Sequence, residues 1–166
     1  FDIPNIIDPE KIAVPEDFEL YSIEGITLEE REQEPGAKLS SVASYNYHGG
    51  KTRKEGIDQD FWTKGIWIYL QELYNESDLV IVHDGELYHE QTDDGRVDIY
   101  YYDMLKEDYC LYREYLFVGE KYKVMMISWA SLLDQEGDYS YVEENTLTVE
   151  EIKAIAESID NMFYPN

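Results

Sequence analysis

The clearest structural signal in the sequence is LTVEEIKAIAESIDNMF, residues 147–163. Thr148 and Glu151 have the spacing of a capping box, in which each side chain bonds the backbone N–H of the other residue at a helix N-terminus. Apolar residues then recur at steps of three and four, as on a helix with one buried stripe: Val149, Ile152, Ile155, Ala156, Ile159, Met162 and Phe163. The sequence therefore predicts an amphipathic helix over residues 148–163 that packs on another element.

The segment before this helix shows the alternation and the turn signals of β-strands. Asp84-Gly85 and Asp94-Gly95 predict two-residue hairpin turns of type I′, and Gly119-Glu120 predicts a type II′ turn. Residues 66–74 are apolar on both faces, which predicts a central strand covered on two sides. The predicted strands are 18–26, 37–47, 66–74, 79–83, 86–91, 96–103, 110–118, 121–129 and 139–142.

These signals predict an α+β fold: a curved antiparallel β-sheet, built as a meander of hairpins, with the C-terminal amphipathic helix packed on one face. We expect residues 1–166 to form a single domain, because 166 residues is an ordinary domain size. Residues 1–15 contain Pro4, Pro9 and Pro15 and are predicted to be an extended arm without a helix. The sheet should then occupy residues 18–142, with a short helix starting at Thr27.

The composition limits the classes of partner. The chain has 37 acidic and 13 basic residues, which give a formal net charge of −24. Nucleic acid is excluded as a partner, since phosphate binding needs a positive surface. The 16 Tyr, 5 Phe and 3 Trp provide material for a core, which argues against disorder.

Two segments resemble the ends of domain-of-unknown-function family 4367. They are Pro15-Glu16-Asp17-Phe18-Glu19-Leu20, which resembles P-E-G-F-x-L, and residues 147–159, which resemble L-T-x-E-E-L-x-K-I-A-E-S-I. Asp17 replaces the turn Gly of the family, Ile152 its usual Leu and Ala154 its usual Lys. The resemblance implies an extracytoplasmic domain of Gram-positive bacteria at the cell surface, tethered to the membrane through a lipid anchor or helix in a segment absent from this chain. It provides no catalytic residue.

The sequence contains no recognisable catalytic, cofactor-binding or metal-binding motif, so no catalytic residue, cofactor or metal ligand is predicted. A two-residue turn at Asp84-Gly85 would pair His83 with Glu86 and direct His83 and His89 to opposite faces of a hairpin, where they cannot share a metal ion. Cys110 lies in an apolar strand and is predicted to be a buried, inert thiol.

Aromatic residues are the predicted interaction surface. Tyr100, Tyr101 and Tyr102 are consecutive in a strand, so they project to both faces, and at least one lies on the face without the helix. Phe61 and Trp62 lie in a predicted loop, where the rings either anchor in the core or form an exposed binding patch. The loop residues Lys51, Arg53 and Lys54 could contact an anionic group or neutralise nearby carboxylates.

The expected function is a non-enzymatic binding or interaction module of the lipoprotein type, for an unknown protein or small ligand. One alternative is the sensory domain of a membrane-bound, anti-sigma-like regulator. Another is a hydrolase that acts through two carboxylates, which requires a cleft with two close acids whose pKa values are raised.

Overall fold

The computed structural model describes residues 2–27, 29–30, 42–53, 60–72, 83, 85–107, 110–132 and 139–165. Within these ranges the order of the elements is α1 (Ile3–Ile6), a 3-10 turn (Pro9–Lys11), β1 (Phe18–Ile26), β2 (Val42–Gly49), β3 (Thr52–Arg53), β4 (Asp60–Phe61), β5 (Lys64–Glu72), β6 (Tyr88–Gln91), β7 (Asp98–Glu107), β8 (Cys110–Val118), β9 (Tyr122–Ser131), α2 (Tyr139–Glu144) and α3 (Val149–Phe163).

Seven of the strands form one open antiparallel sheet in the order β1-β2-β5-β9-β8-β7-β6. The short strands β3 and β4 pair separately. The predicted α+β fold, with an antiparallel sheet and a C-terminal helix, is confirmed. The strand prediction for residues 18–26 matches β1, and the predicted β8–β9 hairpin is present. Residues 37–41, 73–74 and 79–82 of the predicted strands, and Asp84 of the first predicted turn, lie outside the described residues.

Helix α3 packs on one side of the sheet, which we call the covered face. Directly paired positions across four strands supply Tyr45, Ile68, Met126 and Tyr115 to this face, and each is at most 2% exposed. The α3 residues of the same core are Ile152, Ile155, Ala156, Ile159 and Phe163. The Phe163 ring stacks on Tyr122 with 4.3 Å between the ring centroids. Burial of this aliphatic and aromatic stripe is what holds the helix on the sheet.

The capping box of α3 is present as predicted. Thr148 Oγ1 accepts a 3.2 Å hydrogen bond from the Glu151 N–H, and the Glu151 carboxylate accepts a 2.9 Å bond from the Thr148 N–H. Thr27 and Glu30 exchange the same two bonds at the start of the short predicted helix, whose remainder lies outside the described residues. In both places the sequence spacing specified the geometry.

The N-terminal arm differs from its prediction. Residues 3–6 form helix α1, with Pro4 in the first turn, and a 3-10 turn follows. Proline is tolerated there because the first helical N–H groups have no partner inside the helix, so the missing donor costs nothing. Ile3, Ile7 and Ile12 are buried in the main core, and the arm is therefore part of the packed domain.

Residues 139–142, predicted as a strand, belong to helix α2 instead. Val142 is buried against Leu111 and Ala130, while Glu143 and Glu144 are exposed. Four residues are too few to separate a two-residue period from a helical one, and Glu favours helix over strand.

Two turn predictions are wrong in type. A type I′ turn needs a positive φ at both Asp94 and Gly95, but only Gly95 has one, at 72°. The carbonyl oxygen of Thr92 accepts a hydrogen bond from the Gly95 N–H, and the Val97 carbonyl oxygen accepts one from the Thr92 N–H, which closes the loop. Gly119 does not have the positive φ of a type II′ turn either. A Cβ on Gly119 would lie 2.2 Å from the Tyr122 ring, so the ring requires glycine at this position.

Candidate functional site

The side of the sheet opposite α3 carries a continuous set of aromatic and aliphatic side chains, and we call it the open face. The strand register aligns Trp67, Ile127, Glu114 and Tyr102 in one row. A neighbouring row contains Tyr69, Met125, Leu116 and Tyr100. Alternation along each strand places these residues opposite the buried core positions.

A shallow groove lies in the middle of the open face. Its volume is about 240 Å³, and its lining residues are Trp67, Tyr69, Glu114, Met125 and Ile127. Trp67 is 43% exposed and Met125 is 39% exposed. The charged residue in this lining is Glu114, whose carboxylate accepts a hydrogen bond from the Tyr102 hydroxyl. The groove is thus an accessible apolar surface with one anionic group at its side.

The prediction that β5 is covered on both sides is wrong. Ile66, Ile68 and Leu70 are fully buried under α3, but Trp67 projects from the open face and remains accessible. The two sides of β5 differ in chemistry, since the buried side is aliphatic and the accessible side carries Trp67 and Tyr69. That difference was visible in the sequence and is the signal that could have identified the groove.

The three predicted tyrosines divide between the faces. Tyr101 lies on the covered face, where it stacks on Tyr88 at 5.0 Å and contacts Tyr115 at 5.5 Å between centroids; burial raises its pKa. Tyr100 and Tyr102 lie on the open face. Two of the five predicted surface residues therefore lie on the open face, where Tyr102 is paired with Glu114 and Tyr100 with Leu116.

The predicted arrangement of the two histidines is also corrected. His89 stacks on Tyr100 at 4.5 Å, and His83 lies 5.7 Å from Tyr102, so both imidazoles lie beside tyrosines of the open face. His83 Nδ1 contacts the Gly85 carbonyl oxygen at 3.1 Å instead of pairing with Glu86. No cluster of three potential metal ligands occurs among the residues that the structure describes.

Phe61, predicted to lie in a loop, is instead the second residue of β4 and pairs with Thr52. Phe61 and Trp62 are half-buried. Trp62 belongs to a group of rings that we call the aromatic cluster: Tyr21, His48, Trp62 and Trp129. The His48 ring stacks on Tyr21 at 4.3 Å and lies 5.6 Å from Trp62. Burial lowers the pKa of His48, which favours the neutral ring. The Lys51 ammonium lies 5.7 Å from the Trp62 ring, while Lys54 and the Arg53 side chain lie outside the described residues. The cluster extends the open face towards the β1 edge.

A second, polar pocket lies between α3 and the hairpin that joins β8 to β9. Its volume is about 400 Å³, and it is lined by Arg96, Asp98, Val118, Gly119, Glu120 and Asp160. Asp160 is 4% exposed; it accepts a 2.8 Å bond from the Tyr122 hydroxyl and pairs with Arg96 Nε at 2.9 Å. Hydrogen bonds from Gln91 and His89 lower the pKa of Asp98. Asp160 therefore has a structural partner on each carboxylate oxygen. The lowered pKa of Asp98 keeps this residue ionised, whereas a general acid must hold a proton.

Cys110 is buried, as its apolar surroundings predicted. In the described part of the chain, no helix combines the length and the apolar character required to cross a bilayer. No protein-family model, no curated protein and no solved structure matches the chain. The resemblance to family 4367 stays a prediction from its two end motifs.

Proposed function

We propose that the protein is a non-enzymatic binding domain that acts outside the cytoplasm and binds a basic partner protein through its open face. The observation that carries the proposal is the accessible groove formed by Trp67, Tyr69, Met125 and Ile127, with Glu114 beside it. The extracytoplasmic location rests on the two end motifs described above.

The residue types of the groove support binding more than structural packing. Large apolar side chains usually contribute to stability by leaving water, yet Trp67 and Met125 keep about two fifths of their surface accessible. Trp and Met are enriched at protein interfaces, where Trp supplies large contact area and Met adapts to the shape of its partner. A partner that covers this surface would remove apolar area from water, which favours binding.

The charge of the chain supports a basic partner. With a net charge of −24, the protein attracts cations over the range of a Debye length, about 8 Å at physiological ionic strength. Glu114 provides an anionic group at the groove itself. A partner that places an apolar side chain in the groove and a Lys or Arg against Glu114 would match both features.

Peptide selection on the intact chain tests this proposal. Wild-type protein is used to select from a phage-displayed library of random peptides, with counter-selection against the variant Trp67→Ala/Met125→Ala. We expect enriched peptides with an apolar residue next to Lys or Arg. Their Kd should rise by roughly thirtyfold in Trp67→Ala, which corresponds to a hot-spot loss of about 2 kcal/mol.

Leu87→Ala serves as the matched control, because Leu87 is also an exposed apolar residue but does not line the groove. Its affinity for the selected peptides should equal that of the wild type. Enrichment of neutral or acidic peptides would contradict the basic partner, and equal binding to the Trp67 variant would contradict the groove as the binding surface.

A further inference from the structure

Strand β1 forms one edge of the seven-stranded sheet, and β2 is its partner among the described strands. It is nine residues long, which is long for an edge strand. In an antiparallel pair, every second residue directs its N–H and C=O groups away from the neighbouring strand. The outer side of β1 therefore presents a row of backbone donors and acceptors in the geometry of a sheet.

The side chains of β1 remain accessible along most of its length. Ile23 is 56% exposed, Tyr21 is 67% exposed and Leu20 is 36% exposed, so these three side chains are accessible at the edge. Edge strands are usually short or covered, because an open edge with apolar side chains invites pairing with another strand. Here the apolar side chains stand at the middle of the strand, where an added strand would cover them.

A β-bulge at Tyr21 sorts the side chains of β1 by chemistry. The register shifts between Leu20 and Ser22, so Glu19 and Glu24 pair with His48 and Ser44, two positions of the open face. Leu20 and Ile23 pair with Tyr47 and Tyr45, which belong to the covered face. One side of the edge therefore carries Glu19 and Glu24 beside the Tyr21 ring, and the other side carries the aliphatic residues Leu20 and Ile23.

We propose that the outer edge of β1 binds an extended peptide segment in which basic and apolar residues alternate. The segment adds an antiparallel strand to the sheet, with its backbone bonded to β1. Its Lys or Arg side chains lie beside Glu19 and Glu24, and its apolar side chains cover Leu20 and Ile23. No residue of β1 lines the groove around Trp67, so each of the two proposals can be contradicted without affecting the other.

The charge pattern argues against a second copy of the chain as the occupant. Two antiparallel β1 strands that pair around their centres would bring Glu19 of one copy against Glu24 of the other, and like charges directly opposite each other destabilise a strand pair. The net charge of −24 on each copy adds a long-range repulsion. A basic segment would instead be attracted to Glu19 and Glu24, and to the net negative charge of the chain.

The test uses an acetylated and amidated peptide of alternating Lys and Val with the length of β1. Two controls have the same composition: one with its Lys and Val residues in separate blocks, and one with N-methylated backbone nitrogens at alternate residues. Affinity is measured by fluorescence anisotropy with the full chain at physiological salt, and the binding site is located by hydrogen exchange. We expect the alternating peptide to bind at least about tenfold more tightly than either control and to protect β1 amides.

Charge reversal supplies the matched protein variants. Glu19→Lys/Glu24→Lys should weaken binding of the alternating Lys–Val peptide by at least about tenfold and create binding of the corresponding Glu–Val peptide. Glu143→Lys/Glu144→Lys changes the net charge equally at exposed positions of α2 and should leave both affinities unchanged.

Three results would overturn the proposal. Equal binding of the N-methylated peptide would show that backbone pairing is absent. Protection confined to β5 and β9 would place the peptide in the groove instead. Self-association in sedimentation without peptide, abolished by an N-methylated competitor of the β1 sequence, would make a second copy the occupant.

Discussion

Asp160 is a buried carboxylate on α3 whose burial the sequence pattern of the helix does not reveal. It follows Ile159 in the apolar stripe of α3 and is 4% exposed, although an isolated carboxylate is costly to bury. The Tyr122 hydroxyl and the Arg96 guanidinium offset the cost of desolvating the carboxylate, because each bonds a different one of its oxygens. Arg96 and Tyr122 are distant in sequence from Asp160, and the helical periodicity gives no sign of them.

Removing the Tyr122 hydroxyl tests this arrangement. We expect Tyr122→Phe to lower the free energy of unfolding by about 1–3 kcal/mol, because a buried carboxylate loses a hydrogen-bond donor while the ring packing on Phe163 is kept. Urea denaturation measures the loss. Tyr88→Phe is the control, since its hydroxyl bonds Glu86 at the surface, and it should have a much smaller effect. Equal effects in the two variants would contradict a special role for the Asp160 contact.

Burial of tyrosines on the covered face predicts a loss of stability in alkali. Burial, and secondarily the Asp8 carboxylate, raises the pKa of Tyr45 to about 12 from its ordinary 10.0. The unfolded chain therefore releases this proton at lower pH than the folded chain does. The stabilising contribution is complete below pH 10.0 and is lost as the pH rises towards about 12.

The alkaline transition can be followed by circular dichroism together with the absorbance of tyrosinate. Ionisation of the buried tyrosines should coincide with unfolding, and Tyr45→Phe should shift the midpoint of the transition to higher pH. Tyr100→Phe, on the open face, is the matched control. Ionisation of the whole tyrosine set before any change in the circular dichroism would show that Tyr45 is accessible to solvent.

Local signals predicted the elements whose geometry depends on nearby residues. The capping box at Thr148, the stripe of α3 and the exact span of β1 all follow from the spacing of residues close together in the chain. The groove is lined from three strands, β5, β8 and β9, and the neighbourhood of β5 and β9 is set by long-range pairing. The sequence therefore identified Tyr100 and Tyr102 on the same face, but not the lining residues Met125 and Ile127. Gly119 was recognised as a turn residue for the wrong reason, because a ring contact is not visible in a turn motif.

Gly95 and Gly119 are required for different reasons, and substitution with Asn distinguishes these reasons because Asn tolerates a positive φ. Gly95 has φ 72° and open space around it, so Gly95→Asn should cost less than about 1 kcal/mol. Gly119→Asn should cost about 1–3 kcal/mol, because its Cβ meets the Tyr122 ring. Denaturation of both variants gives the comparison. A small cost at Gly119 would mean that the Tyr122 ring moves aside easily.

The charge of the whole molecule opposes the packing of its core. At −24 over 166 residues, folding brings acidic side chains closer together, and the resulting repulsion is weakened by salt. Raising the ionic strength from about 0.01 M to about 0.15 M shortens the Debye length from about 30 Å to about 8 Å. We therefore expect the urea midpoint to rise with NaCl over this range.

The same repulsion should respond to charge reversal at exposed side chains that do not line the groove. Glu143→Lys/Glu144→Lys should raise the urea midpoint at low salt, and the gain should shrink as NaCl is added, because both treatments act on one long-range term. Glu143→Gln/Glu144→Gln, which changes the net charge by half as much, should give an intermediate rise. A basic partner would neutralise the same charge from outside the chain. A urea midpoint that does not change with NaCl would therefore contradict the stability prediction, and it would also count against the electrostatic argument for such a partner.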